Sequence, residues 1–380
     1  MRLNGAKLYT ETGVLEQATI DIADGKISAI NSDTQAEDVH NFPANYHIIP
    51  GFIDLQLHGV KGCDVMDASV DSLHTITQAL PAEGTTSFLG TTMTELDAGI
   101  QQAMKSVAEF STEDYQGAEL LGIHLEGPFI SPKHVGAQRP DAVINPNIEL
   151  FKQWQQLSNH LIKVVTLATE QPDGLALTTY LTQQNILTSL GHSEADFEQA
   201  QKAIDAGCTT ATHLFNAMRG IHHREPNAVT ALLLAQQVIP QLIVDGIHLD
   251  PAIVDMTYRL KGKDGMVLVT DAMCAKGCPN GDYDLGGQTV HVNNGEARLA
   301  DGTLAGSTLT MLDAVLNCQK FAGIPFSDAL HCATYVPAKM LGIEKQKGSL
   351  AVGKDADIVV LDDNYQVVMT ICRGKIAFRA

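Results

Sequence analysis

The sequence has few aromatic residues and no excess of positive charge. Aromatic side chains make up 5% of the 380 residues, with Trp154 as the single tryptophan, so a buried core must consist mainly of aliphatic side chains. Lysine and arginine number 25 against 44 aspartates and glutamates, a formal net charge of −19. Such a field repels nucleic acids and anionic membranes, which excludes both as broad electrostatic partners. It also requires any phosphate site to be a local group of donors within an acidic surface.

Long apolar runs and a cysteine framework are missing as well. No stretch of about 20 uninterrupted apolar residues occurs, which excludes a membrane-spanning helix. The polar N-terminal segment MRLNGAKLYTETG lacks the apolar run of a signal peptide. The seven cysteines are odd in number and irregularly spaced, with Cys274 and Cys278 four positions apart. We therefore expect reduced thiols in a cytoplasmic protein.

Short apolar segments alternate with longer amphipathic ones along most of the chain. Each apolar segment is rich in β-branched residues, as expected for a strand that is buried on both faces. The eight segments are residues 48–59, 85–93, 120–128, 162–170, 186–193, 208–217, 242–249 and 265–273. Eight strand-then-helix units predict an α/β fold, a (β/α)8 barrel of the TIM type. Ser193 and Gly207 are expected to cap the helix that follows the fifth strand.

Both chain ends carry the alternating pattern that is typical of β-hairpins. Turn signals occur at residues 23–25 near the N-terminus, and at 353–355 and 373–374 near the C-terminus. We therefore predict a small, discontinuous β-sandwich domain from residues 1–49 and 349–380. The barrel, residues 50–348, would be inserted between its two halves.

Ionisable or metal-liganding residues lie at the ends of six of the eight predicted strands. In such a barrel the active site lies at the C-terminal ends of the strands. Glu126, His192 and His213 follow the third, fifth and sixth strands, and one carboxylate with two imidazoles is a common ligand set for catalytic zinc. Asp271 follows the eighth strand, where it could take a proton from an attacking water and return it to a leaving amine. A single histidine is more often structural than ligating, so the prediction of a metal-dependent hydrolase depends on the whole set.

Two further polar residues near these strand ends receive structural interpretations. His124 precedes Glu126 by two positions and shares its face of the strand, so we expect it to support the site from the core. Asp54 is expected to shape the end of the first strand by hydrogen bonding.

Several segments form an ordered set along nearly the whole chain: PGFIDLQLHG, HLEGPF, LGHS, THLFNAM, REPN, DGIHLD, LVTDA, DGTLAGSTLTM and GSLAVGKDADIVVLD. This set resembles the N-acetylglucosamine-6-phosphate deacetylases of the amidohydrolase superfamily. HLEGPF with THLFNAM and TDA is specific, whereas PGFIDLQLHG alone indicates only an amidohydrolase. The resemblance implies hydrolysis of N-acetyl-D-glucosamine 6-phosphate to D-glucosamine 6-phosphate and acetate, in amino-sugar catabolism, by a homodimer.

The resemblance also assigns the site residues. The metal ligands would be Glu126, His192 and His213, and the catalytic aspartate would be Asp271. Substrate contacts would come from Gln138, Asn216, Ala217, Arg224, His248 and Leu309. Arg224 and His248 match residues that recognise the phosphate, one or both across a dimer interface, and a guanidinium suits that role because it binds phosphate bidentately. The backbone around Leu309 matches the wall of the acetyl pocket.

Two positions depart from the family's pattern. The first strand ends in Gln56-Leu57-His58 where many amidohydrolases have His-x-His, and an amide is a poor zinc ligand. We expect one divalent metal per subunit, zinc by default, although iron, manganese or cobalt would suit the same ligands. At most a weak second site would form at His58 and Gln56. Gln138 stands where some members have a histidine that contacts the substrate carbonyl; it could donate a hydrogen bond but no proton, and His134 is the alternative.

Three other functions stay open. The sequence does not distinguish N-acetylglucosamine 6-phosphate from N-acetylgalactosamine 6-phosphate as the substrate, because the two differ only in the orientation of the C4 hydroxyl. Another amidohydrolase, acting on a cyclic amide or a nucleobase, would need a carboxylated lysine or a second histidine on the first strand, and Lys163 lies at the wrong end of its strand. A non-catalytic binding protein is compatible with the fold, but it would not explain why ionisable or metal-liganding residues lie at six strand ends.

Overall fold

The structure, a computed structural model, describes residues 1–32 and 36–380. Strands occupy both chain ends and alternate with helices between them. The strands are β1 (Arg2–Asn4), β2 (Lys7–Thr10), β3 (Gly13–Leu15), β4 (Thr19–Ala23), β5 (Lys26–Ile30), β6 (Val39–Asn41), β7 (His47–Pro50), β8 (Phe52–Leu57), β9 (Gly59–Val60), β10 (Cys63–Asp64), β11 (Thr85–Thr92), β12 (Glu119–Glu126), β13 (Ile162–Leu167), β14 (Leu187–Leu190), β15 (Cys208–Ala211), β16 (Ile239–Ile243), β17 (Val267–Val269), β18 (Gly281–Leu285), β19 (Gln288–Asn293), β20 (Glu296–Arg298), β21 (Ile358–Leu361), β22 (Val367–Cys372) and β23 (Lys375–Arg379). The α-helices are α1 (Val70–Ala79), α2 (Asp97–Phe110), α3 (Ile148–Leu157), α4 (Gly174–Gln183), α5 (Phe197–Asp205), α6 (Ala228–Leu234), α7 (Pro251–Lys261), α8 (Met311–Ala322), α9 (Phe326–Ala333) and α10 (Tyr335–Met340).

Eight parallel strands form one sheet in the order β17-β16-β15-β14-β13-β12-β11-β8. The sheet closes into a barrel, because Leu57 at the end of β8 bridges Ala272 just after β17. Every residue of β8 and β11 is buried, as strands covered by helices on one face and by the barrel interior on the other must be. The predicted (β/α)8 barrel is confirmed. Each of the eight predicted segments overlaps a barrel strand, although the seventh, 242–249, does so only at residues 242–243, because β16 begins at Ile239 and ends at Ile243.

Both chain ends contribute to a β-sandwich, as predicted. One sheet has the order β5-β4-β1-β6, and the other has the order β23-β22-β21-β7-β2-β3. In the second sheet the C-terminal strand β21 pairs antiparallel with β7, so that Val359 lies opposite Ile49. The sandwich core is aliphatic and includes Leu8, Ile20 and Ile358. The domain limits 1–49, 50–348 and 349–380 stay a prediction.

A three-stranded antiparallel sheet, β18-β19-β20, lies between β17 and α8 and was not predicted. The turn signals Gly286-Gly287 and Asn294-Gly295 were present in the sequence and are typical of hairpins. The sheet packs through Leu285 and Val290 against Met93 and Met273 of the barrel. It thereby covers one side of the barrel mouth.

The predicted helix cap at Ser193 is wrong. Helix α5 begins at Phe197, and Asp196 caps it in a reciprocal capping box with Gln199. The Ser193 hydroxyl instead donates to Glu170 Oε2 at 2.8 Å. Across the residues that the structure describes, no helix is both long and apolar enough to cross a bilayer.

An ion cluster around the buried side chain of Lys347 joins the barrel to the sandwich. Lys347 Nζ lies 2.6 Å from Glu119 Oε2, 3.0 Å from Asp355 Oδ2 and 2.6 Å from Asp357 Oδ2. Burial lowers the pKa of Lys347, but the attraction of the surrounding carboxylates outweighs it and raises that pKa above its ordinary value. Glu119 begins a barrel strand and Asp357 precedes a sandwich strand, so one ammonium group holds carboxylates of both parts together.

Replacing Lys347 with methionine should destabilise the protein, because it leaves the buried Asp357 carboxylate without a cation. Breaking such a pair costs about 3–5 kcal/mol, so the urea midpoint of unfolding should fall clearly. The exposed Lys345→Met is the matched control and should change stability by no more than about 0.5 kcal/mol. Equal midpoints for the two variants would contradict this role of Lys347.

Candidate metal centre and active site

A cleft of about 450 Å³ opens at the C-terminal ends of the barrel strands. A cleft of this size can hold a small molecule. The predicted site residues that line it are His58, Glu126, Gln138, His192, His213, Asn216, Ala217, His248 and Asp271. Residues that are far apart in the sequence therefore meet here because the ends of parallel strands share one rim.

Glu126, His192 and His213 place three ligand atoms at nearly equal separations. Glu126 Oε1 lies 3.3 Å from His192 Nε2 and 3.1 Å from His213 Nε2, and the two ring nitrogens are 3.1 Å apart. A tetrahedron with metal–ligand bonds of about 2.0–2.1 Å has edges of about 3.3 Å, so these atoms match three of its corners. All three side chains are buried. The residues present thus fit a divalent metal with one corner left for another ligand.

The orientation of His192 leaves the correct ring nitrogen for a metal. His192 Nδ1 lies 2.8 Å from the carbonyl oxygen of His134, and a nitrogen that meets a carbonyl must carry the proton. His192 Nε2 therefore has a free lone pair in the neutral ring. The side chain of His134 pairs with Glu194, which fixes that carbonyl beside the site. His134 itself does not line the cleft.

Glu126 is held as an anion. Burial raises the pKa of its carboxyl group, but its contacts with the imidazoles of His58, His192 and His213 outweigh burial and keep the pKa well below its usual range. His124, two residues earlier, has both ring nitrogens engaged elsewhere: Nδ1 donates to the Leu55 carbonyl at 2.9 Å, and Nε2 accepts from Thr166 Oγ1 at 2.7 Å. Burial lowers the pKa of His124 to about 4, so it is a neutral residue that supports the strand from the core.

Several residues at the strand ends have left-handed backbone conformations. The φ angle is 49° at His192, 30° at His213, 49° at Ala217 and 50° at Asp271. For a residue other than glycine this region costs on the order of 1–3 kcal/mol and is tolerated where the surrounding structure enforces it. Such residues cluster at functional sites, and here the unusual backbone occurs where the strands end and the cleft begins.

Asp271 lies beside the two polar residues of the first strand. Its Oδ1 lies 3.1 Å from Gln56 Nε2 and 3.1 Å from His58 Nε2. Gln56 Nε2 also lies 3.1 Å from Glu126 Oε1. Gln56 thus presents a donor, not a ligand atom, to both carboxylates. His58, Glu126 and Asp271 still bring three ligand atoms close enough for a second cation.

Asp54 fixes the backbone that carries Asp271. Its Oδ2 accepts from Thr270 Oγ1 at 2.5 Å, and its Oδ1 accepts from the backbone amides of Thr270 and Gln56, each at 3.2 Å. Burial raises the pKa of Asp54 to about 6. The Asp271 amide in turn donates to the Gln56 carbonyl at 2.9 Å. One buried carboxyl group therefore locks the first strand to the last, directly behind the site.

Gln138 and His248 line the cleft, and one polar atom of each side chain already has a hydrogen-bond partner. Gln138 Oε1 accepts from the Thr94 amide at 2.6 Å, which leaves its amide nitrogen as a donor. His248 Nδ1 lies 2.6 Å from Asp245 Oδ2. Burial raises the pKa of Asp245, but the hydrogen bond and charge of His248 outweigh it and lower that pKa. This anchoring leaves His248 Nε2 for a ligand.

Two predicted substrate residues do not reach the cleft of their own chain. Arg224 is exposed, and its Nη1 contacts His223 Nε2 at 2.7 Å. Leu309 is buried among the barrel's core residues, and its amide donates to Ser307 Oγ at 3.1 Å. From the same segment, Gly306 lines the cleft. Arg298, at the end of β20, also lines the cleft and was not predicted from the sequence. Only the hairpin signals before it pointed to this segment.

Comparison with known proteins places the chain in a family. The amidohydrolase family profile matches residues 47–377. A curated N-acetylglucosamine-6-phosphate deacetylase of Bacillus subtilis is 42% identical over 377 residues, which cover 98% of this chain and 95% of that protein. An N-acetylgalactosamine-6-phosphate deacetylase of Escherichia coli is 37% identical over 375 residues, 99% of this chain and 98% of that protein.

A solved structure shares nearly the whole fold. A mutant N-acetyl-D-glucosamine-6-phosphate deacetylase of Mycobacterium smegmatis, in complex with N-acetyl-D-glucosamine-6-phosphate, superposes with a TM-score of 0.93 at 32% identity, covering 99% of both chains. The sequence relatives agree with the family that the motifs indicate, and the superposed structure agrees with the barrel on which the site is built. The chain belongs to the amidohydrolase family, as its motifs predicted.

Proposed function

We propose that the protein hydrolyses the acetamide of N-acetyl-D-glucosamine 6-phosphate to D-glucosamine 6-phosphate and acetate. The observation that carries the proposal is the meeting of the Glu126, His192 and His213 ligand atoms with Asp271 in one cleft. Relatives that cover nearly the whole chain and bear this activity in their names support the choice of substrate. The reaction belongs to amino-sugar catabolism, and we place it in the cytoplasm, since all seven cysteines are free.

The ligand set suits one divalent cation per subunit, zinc by default, with iron, manganese or cobalt as alternatives. When bound, this cation would supply Lewis acidity and a water of lowered pKa. Glu126, His192 and His213 would hold it. Gln56 and His58 would add at most a weak second site, because the Gln56 amide nitrogen is a donor.

Asp271 is the proton-transfer group in this proposal. Its carboxylate accepts a proton from the attacking water and then delivers it to the nitrogen of the leaving amine. Hydrogen bonds from Gln56 and His58 hold its Oδ1 in place, which leaves the other oxygen for this exchange. The Gln138 amide nitrogen would donate to the acetamide oxygen and stabilise the negative charge that develops there.

The sugar phosphate would lie among His248, Asn216 and the backbone of Ala217, which line the cleft. Arg224 lies outside the cleft of its own chain. In the proposal it serves the neighbouring subunit of a homodimer, as the resemblance implies. The Gly306–Thr310 segment, with Leu309 at its buried end, would form the wall beside the acetyl group.

A second candidate substrate is N-acetylgalactosamine 6-phosphate. It is favoured by the relative of that name, which is 37% identical over almost the entire chain. A cyclic-amide substrate has less support, because Lys163 is exposed and so does not stand where a carboxylated lysine would join two metals inside the barrel.

The purified protein should release acetate from both epimers and prefer the gluco form. We expect kcat/KM to differ by about tenfold, the discrimination that a small difference within one pocket can supply. Acetate release from each sugar phosphate measures it. A reversed preference would assign the galacto substrate, and inertness toward both sugars with turnover of a cyclic amide would refute the proposal.

Asp271→Asn should abolish most of the turnover while the protein keeps its metal. Loss of a general acid–base group lowers kcat by about 10²–10⁴-fold. Metal content, measured by elemental analysis, should match the wild type because the three ligands remain. Asp255→Asn, on the surface of α7, is the control and should keep full activity. Unchanged turnover in Asp271→Asn would remove this residue from the mechanism.

The metal stoichiometry should respond to the residue at position 56. The wild-type protein should hold one tightly bound divalent ion per chain, and chelation should abolish activity until metal is restored. Gln56→His adds a second imidazole beside His58 and should raise the content toward two ions per chain. Combining it with His58→Asn should return the content to one. Two ions in the wild-type protein would show that the Gln56 amide does not prevent a second site.

A further inference from the structure

The three-stranded sheet β18-β19-β20 contacts the segment that carries Gln138. Gln288, the first residue of β19, donates through Nε2 to the Ala137 carbonyl at 2.6 Å and to the Gln138 carbonyl at 3.4 Å. An amide nitrogen carries two N–H groups, so one side chain can bind both carbonyls at once. The sheet is thereby linked to a residue that lines the cleft.

The hairpin that presents Gln288 is fixed on the barrel. Gln288 follows the two-residue turn Gly286-Gly287 and pairs with Leu285 across it. The φ angles of the two glycines are 59° and 79°, as a tight hairpin turn requires. Leu285 packs in one apolar cluster with Met93 and Met273 of the barrel. The Gln288 amide is therefore presented from a supported turn.

Segment 131–138 is held separately at its other end. The Ser131 amide donates to the His192 carbonyl at 2.9 Å, and the His134 side chain pairs with Glu194. The His134 carbonyl faces His192 Nδ1. That end orients a proposed metal ligand, whereas the end at Gln288 carries Gln138. A change at Gln288 should therefore disturb Gln138 and leave the metal centre intact.

The position of the Gln138 amide nitrogen depends on the backbone that carries it. Gln138 is 3% exposed, and its Oε1 accepts from the Thr94 amide at 2.6 Å. A donor to a developing oxyanion is effective when it is already in place. Misplacement of a reacting geometry by about 1 Å can cost about 10²-fold in rate. Support of the Gln138 backbone thus bears directly on its proposed role.

We propose that Gln288 is a positioning residue for the hydrolysis and that it acts through Gln138. Its amide holds the Ala137 and Gln138 carbonyls, so that the Gln138 amide nitrogen meets the acetamide oxygen as negative charge develops there. This inference rests on the proposed function. It assigns to the three-stranded sheet the role of holding one wall of the cleft in place.

Gln288→Met, which keeps the side-chain length and removes the donor, tests the inference. The kcat for N-acetylglucosamine 6-phosphate should fall about tenfold, less than the about 10²–10³-fold that follows loss of an oxyanion donor itself, because Thr94 still binds the Gln138 side chain. KM should stay within about twofold, since the affected hydrogen bond strengthens mainly in the transition state. Metal content, measured by elemental analysis, should equal that of the wild type.

A double-mutant cycle with Gln138→Ala separates positioning from packing. Gln138→Ala alone should lower kcat by about 10²-fold. Adding Gln288→Met to it should lower kcat no further, because no donor is left for Gln288 to position. In the wild-type background, Gln288→Lys should recover part of the kcat lost in Gln288→Met, because an ammonium group can donate to both carbonyls.

Thr289→Ala is the matched control, since Thr289 is the exposed neighbour on the same strand. It should leave kcat and KM unchanged. Gln288→Glu removes the same donors with a polar side chain and should also lower kcat, so the test does not depend on the folding of one variant. Thermal unfolding checks that each variant folds.

Three outcomes would overturn the inference. They are unchanged kcat in both Gln288→Met and Gln288→Glu, a further loss of about tenfold on the Gln138→Ala background, or loss of metal together with kcat. The second would assign Gln288 to packing of the sheet, and the third would assign it to the metal centre. Failure of the proposed function is a separate result, since the wild-type protein would then be inert toward N-acetylglucosamine 6-phosphate.

Discussion

A buried carboxylate, Glu126, is the constraint around which the site is arranged. Its Oε1 faces two imidazole nitrogens at 3.1 and 3.3 Å, deep in a barrel whose strands are buried on both faces. An unpaired charge in such a place would be strongly unfavourable. Convergence of the strand ends makes the arrangement tolerable, because it brings His192 and His213 to the same point from separate strands. A divalent cation, which this set of ligand atoms fits, would complete the compensation of charge.

Rigid support behind the site offsets the strain within it. His192, His213 and Asp271 all have positive φ angles, a conformation that a free strand end would not keep. Asp54 ties the first strand to Thr270, and the His134 carbonyl fixes the ring of His192. These bonds come from residues that do not line the cleft. The side chains that would perform chemistry are therefore held in place by buried neighbours behind them, which is the condition for a preorganised site.

The barrel could be predicted from the sequence, and so could the meeting of the proposed ligand residues in one cleft, because both follow from local pattern and from one rule of the fold. Apolar, β-branched segments indicate buried strands, and the residues that follow parallel strands share a rim. Arg298 escaped this reasoning because its place depends on how the unpredicted three-stranded sheet packs on Met93 and Met273, a contact between distant parts of the chain. Ser193 was misassigned for a similar reason: Glu170 accepts its hydroxyl hydrogen, and Asp196 caps the helix instead.

The first strand shows how one substitution within a family pattern is accommodated physically. The carboxylates of Glu126 and Asp271 lie close to each other, and without positive charge or donors between them they would repel. Gln56 Nε2 lies 3.1 Å from an oxygen of each, and so does His58 Nε2. An amide at position 56 thus supplies hydrogen-bond donors where an imidazole would supply a ligand. In the proposed single-metal centre, the two carboxylates would then remain adjacent with one cation, and Asp271 would stay free of a second one that would compete for its proton.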